Sequence, residues 1–144
     1  MNISIAALSE VRRPDSGEIM VGSCTSHWSV CSDGYHAQGV AVAVSNKLTP
    51  MIIEVTSVKE RIMRLRIRHS LNVISLVSPT EASDLTVKDS FYATLESVVD
   101  QCPRRDTLLI FGDFNASTGI DRDGYETCLA PCVWNCEPEY HQVP

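Results

Sequence analysis

Hydrophobic and polar positions alternate along most of this chain, and that period of two predicts a run of β-strands. Ile3 to Leu8 reads as a buried strand ending in Ser9-Glu10-Val11, and Pro14-Asp15-Ser16-Gly17 is a strong turn signal. Glu18 to Val21 and His27 to Cys31 form two short strands by the same criterion, with a further turn at Ser32-Asp33-Gly34. Gly39 to Val44 is a clear strand closed by Ser45-Asn46-Lys47. Met51 to Val58, the strictly alternating Arg61 to His69, and Val73 to Val77 follow, the last ended by Ser78-Pro79-Thr80.

Beyond this point the period changes. Val87, Phe91, Leu95, Val98, Val99 and Cys102 recur at helical spacing, and Pro103 forbids continuation. Thr86-Val87-Lys88-Asp89 resembles a capping box, with Asp in place of the commoner Glu. The stripe of Phe91, Leu95 and Val98 is expected to be core rather than a binding face. An apolar strand, Thr107 to Phe111, then stops at Gly112-Asp113-Phe114-Asn115. A polar loop follows, and the tail from Ala130 shows no periodicity. Many strands followed by a helix and another strand predict a layered α/β sandwich. One helix is too few to cover two sheets, so an incomplete domain is expected.

The candidate chemistry sits at strand ends. Alternation predicts that Asp113 and Asn115 point the same way, one carboxylate and one carboxamide at a single sheet edge. Ligand sites of α/β proteins favour the carboxyl ends of strands. A Gly-Asp turn with Asn115 as a local cap explains the same four residues, and they do not separate the two readings. Glu10 closes the first strand as Asp113 closes a later one. If those strands lie in facing or neighbouring sheets, both acids reach one cleft. Mg²⁺, or Mn²⁺ in its place, takes one or two carboxylates with water and phosphate oxygens completing its shell. In that arrangement Glu10 holds the metal and Asp113 takes a proton from attacking water. Asn115 orients Asp113 or donates to the phosphate. The competing reading of Glu10 is a solvated acid at a strand end.

Composition narrows the function classes. With 144 residues, 44% of them hydrophobic and 21% charged, the chain suits one globular domain. A net charge of -6 and a pI near 5.1 exclude passive electrostatic coating of DNA, but not a nuclease whose acidic site is neutralised by a cation. No apolar stretch approaches the roughly 20 residues that span a bilayer, so no membrane partner is expected. The opening Met1 to Leu8 lacks a basic lead and meets Glu10 at once, which suits a first strand better than a signal peptide. The six cysteines are scattered, so reduced thiols and an intracellular location are expected. The glycosylation-type triplets at Asn2 and Asn115 then carry no meaning.

Ser9-Glu10-Val11-Arg12-Arg13-Pro14 after a strand, and Ile110-Phe111-Gly112-Asp113-Phe114-Asn115-Ala116, resemble the endonuclease/exonuclease/phosphatase superfamily, in particular its retrotransposon (LINE)-type endonuclease domains. Gly39 to Leu48 and Glu60 to His69 are similar to the strands between those motifs, and Asp121 to Glu126 to the stretch after them. The resemblance covers most of residues 5 to 129, giving a partial domain over 1–129 and a non-matching tail over 130–144. It implies a four-layered α/β sandwich, Mg²⁺-dependent hydrolysis of phosphodiesters in DNA, or else RNA, and a nuclear location. Without a nuclease function the cytoplasm is expected. The resemblance gives Glu10 the metal role, Asp113 the catalytic acid/base role, and Asn115 the orienting and phosphate-contact role.

The chain also departs from the family. The family's opening strand with an active-site Asn would lie before Met1. Its Tyr-Ala-Pro-Thr strand end reads Val77-Ser78-Pro79-Thr80 here. Its Asp-His pair and last strands have no counterpart in Cys132 to Glu137, and His141 lacks an acid-His context. The expectation is a domain truncated at both ends with weak or absent turnover. The alternatives are an inactive transposon-derived remnant or interaction module, and a hydrolase acting on a phosphomonoester or phospholipid headgroup.

Weaker signals remain. Arg64, Arg66 and Arg68 share one face of a strand and could touch phosphates, although such a stripe is usually just a solvated face. Cys128, Cys132 and Cys136 have steps long for zinc, and Pro131 breaks any common helix face. Asp121-x-Asp123-Gly124 places its glycine too early for a calcium loop. His27, His36 and His69 are read as packing or surface residues.

Overall fold

The computed structural model describes residues 3–13, 15–29 and 39–115. Among them the chain is mostly β, with two four-stranded sheets and one helix. The first sheet contains β1 (Ile5–Val11), β2 (Gly17–Val21), β3 (Cys24–Ser29) and β4 (Gly39–Ser45). Its order is β1-β4-β3-β2 and every pairing is antiparallel. The second contains β5 (Ile52–Lys59), β6 (Ile62–Ile67), β7 (Leu71–Val77) and β8 (Thr107–Asp113), in that order across the sheet. It is mixed: β5, β6 and β7 run antiparallel, whereas β7 and β8 run parallel. The parallel pair is joined by α1 (Leu85–Asp100), because a parallel return needs a crossover and cannot be made by a hairpin.

The strands largely follow the predicted alternation. In β6, Met63, Leu65 and Ile67 join Val40, Val42, Val44, Val73 and Val77 in the core between the sheets. Ile62 faces the other way, where Ile74, Leu76, Phe91 and Val98 form a second core under α1. The helix stripe is therefore core, as its spacing predicts. The described residues stack in three layers: first sheet, second sheet and α1 on the outer face of the second.

Several boundaries move, three of them for a clear physical reason. β3 occupies Cys24–Ser29 rather than starting at His27, because it pairs residue by residue with β2 across the Gly22 turn. The helix begins at Leu85 with Asp84 as its cap, ahead of the predicted box at Thr86. No side chain bonds the cap, and the Asp84 carbonyl accepts from the amides of Val87 and Lys88. β8 runs on through Gly112 to Asp113, since the parallel ladder continues to Val77. Gly112 is required there: at φ 152°, an added Cβ would lie 1.9 Å from the Leu76 carbonyl oxygen. The 129/130 boundary, the cysteines at 128, 132 and 136, and His36 lie outside the described residues.

Candidate active site at the strand ends

The parallel pairing of β7 and β8 puts two carboxyl ends side by side, Val77-Ser78 next to Asp113-Phe114-Asn115. The buried Ser78 binds this corner together. Its amide donates to the Asp113 carbonyl at 2.8 Å, and its hydroxyl donates to the Phe114 carbonyl at 2.6 Å. Its own carbonyl accepts from Asn115 Nδ2 at 2.7 Å and from the Arg61 guanidinium at 3.3 Å. Asn115 N–H in turn donates to Asp113 Oδ1 at 2.9 Å. The exposed carboxylate of Asp113 is thus held through one oxygen, and among the described residues no hydrogen bond reaches the other.

Alternation predicts that the two residues point the same way, and they do not. Asp113 is level with Val77, whose side chain belongs to the core between the sheets. Asn115 lies past the strand end in a left-handed conformation, φ 44°. Its side chain turns back to Ser78 and lines a cleft beside α1. Orientation of Asp113 therefore comes from the backbone amide of Asn115, not from its carboxamide.

Glu10 is exposed at the far end of β1, where the register with β4 shifts between Leu8 and Val11. It too is left-handed, φ 54°. A bulge of this kind re-aims a side chain and recurs beside functional sites. β1 is an edge of the first sheet and β8 an edge of the second, and the two edges lie against each other across the sandwich. Among the described residues no three His, Cys, Asp or Glu side chains gather into one cluster. Glu10 and Asp113 are both hard oxygen donors. That suits Mg²⁺, which binds through one or two carboxylates and keeps much of its water, and not a softer ion needing an all-protein cage.

Two of the three arginines are already engaged. Arg64 is largely buried and pairs with Glu54 at 3.0 Å. Arg66 approaches the buried Asp106 at 3.7 Å, and Asp106 also accepts from Asn72 at 3.0 Å. Arg68 is exposed beyond the end of β6. His27 is buried and meets Glu18 at 3.3 Å. Sequence reasoning missed Ser78, Lys88 and Tyr92 as residues of the strand-end corner. A Ser-Pro after an apolar strand reads as a simple stop, and its partner lies beyond a whole helix.

The arrangement is an α/β-like sandwich, mostly β, with its polar corner at the ends of a parallel strand pair. No protein-family model matches the chain. It is 28% identical over 123 residues to craniofacial development protein 2 of Tragulus javanicus and to that of Bos taurus. These alignments cover 83% of this chain but 21% and 20% of the relatives, so the chain spans about a fifth of their length. No helix among the described residues is long and apolar enough to cross a membrane.

Proposed function

We propose that this chain is a divalent-metal-dependent phosphodiester hydrolase domain of the endonuclease/exonuclease/phosphatase type, acting on DNA, with RNA as the alternative substrate. The observation that carries the reading is the Asp113 carboxylate, fixed through one oxygen at a parallel strand end of β8, the edge strand that contacts β1. Glu10 would hold Mg²⁺ or Mn²⁺, which when bound would supply Lewis acidity at the phosphate and lower the pKa of a bound water. Asp113 accepts the proton of the attacking water through its unengaged oxygen. The second N–H of the Asn115 carboxamide donates to a phosphate oxygen. Arg68, and Arg64 and Arg66 if released from their acidic partners, add long-range attraction for the backbone. The domain extends to about residue 129, and a nuclear location follows from the substrate.

A second reading, an inactive remnant or interaction module, is favoured by Val77. That position is directly level with Asp113 and carries no hydroxyl where the resembled family has tyrosine. Loss of one preorganised donor lowers rates by about 10²–10³. Weak turnover is therefore expected. Melting with and without 10-fold excess Mg²⁺ separates the readings. The nuclease reading expects a rise in Tm that Glu10→Gln removes, together with slow plasmid nicking lost in Asp113→Ala. An unchanged Tm and no nicking leave only the module; cleavage of p-nitrophenyl phosphate but not plasmid moves the substrate to phosphomonoesters.

A further inference from the structure

The Asn115 carboxamide, turned away from Asp113, lines a cleft of about 270 Å³ between the strand ends and α1. Thr80 and Glu81 form one part of its wall, Lys88 and Tyr92 another, and Phe114 lies beside Asn115. Lys88 and Tyr92 are one helical turn apart and so share a face of α1. Two aromatic rings open to solvent in one small cleft are unusual in a chain with so few aromatics. Tyr92 is 48% exposed and Phe114 44%. The Tyr92 ring is steadied edge-on by Phe91, with centroids 5.2 Å apart and planes at 83°.

We propose that this cleft binds an unstacked nucleobase of single-stranded nucleic acid, a specificity that rests on the nucleic-acid reading above. The volume falls just below the roughly 300 Å³ at which ligand pockets usually begin, so it suits one planar ring and not a paired duplex. Tyr92 and Phe114 offer faces for stacking, which every base accepts. The Asn115 carboxamide oxygen and the Thr80 hydroxyl can meet a base edge, which is free only when the base is unpaired. The charges decide which part of the nucleotide is held. Lys88 donates its ammonium to the Glu81 carbonyl, and the Glu81 carboxylate offsets its charge. A lining with one cation and one anion gains little from phosphate, so stacking dominates and salt dependence is shallow.

The test is fluorescence anisotropy in EDTA, without metal, using a fluorescein-labelled ten-residue oligothymidylate. An abasic ten-mer and a matched duplex serve as comparisons. The single strand is expected to bind about tenfold or more tighter than either. Tyr92→Ala should lose most of that margin while Tyr92→Phe, which keeps the stacking face, retains it. Because Tyr92 lies on the helix surface, an unchanged melt should accompany the Ala variant. Equal binding of the abasic strand, no binding at all, or indifference to Tyr92→Ala would overturn the proposal. None of those results touches the Mg²⁺-dependent rise in Tm through Glu10, so the two readings fail separately.

Discussion

Two strands of this molecule carry an acid within their last two residues, and they are finished in opposite ways. At β8 the chain leaves the sheet beside a parallel neighbour, and Ser78, Asn115 and Arg61 lock the corner with a set of short hydrogen bonds. At β1 the pairing with β4 slips, and Glu10 stands exposed in a left-handed conformation. On the proposed reading, the difference suits the two carboxylates to different duties. A proton acceptor must be held in one geometry before the reaction begins, and a parallel strand end with a buried serine provides that. An acid whose partner is a hydrated cation needs reach more than rigidity, because the ion completes its own shell with water.

The contrast can be broken at its firm end first. Gly112→Ala should cost about 3 kcal/mol or more, the upper range for one substitution, since the new methyl meets the Leu76 backbone. A urea midpoint near that of the parent would show that the corner yields. Ser78→Ala should cost about 1–2 kcal/mol through the lost bond to Phe114 and the unmet carbonyl. It should also lower any Asp113-dependent cleavage more than it changes substrate affinity, which a kcat and KM comparison reads. At the loose end, Glu10→Gly should leave stability within about 1 kcal/mol of the parent. It relieves the left-handed penalty of an L-residue while adding freedom to the unfolded chain. The same variant should lose the Mg²⁺-dependent rise in Tm. A large destabilisation instead would mean that β1 is pinned as tightly as β8.

The second sheet shows a similar asymmetry at its edges. β5 carries Glu54 and Lys59 and two register shifts, devices that discourage a further strand from adding. β8 runs uncharged from Thr107 to Gly112, with Leu109, Ile110 and Phe111 each more than a third exposed.

Much of the fold can be read residue by residue. The alternation from Arg61 to His69 correctly sorts Leu65 and Ile67 into the core between the sheets and Arg64 to the opposite face. The 3.6-residue spacing of Phe91, Leu95 and Val98 correctly names the buried side of α1. Gly112-Asp113 marks a strand end because a glycine there is demanded by a backbone contact, and such demands leave a trace in local composition. These features depend on neighbours a few positions away, and period and steric permission are local properties. What a linear reading could not supply is which remote groups meet. That Ser78 would bond the residues after Asp113, that Asn115 would turn toward α1, and that Arg64 and Arg66 would find Glu54 and Asp106 all depend on the parallel return of β8 and on strand register. Those are set by burial of two shared cores, a property of the whole chain that no short stretch contains.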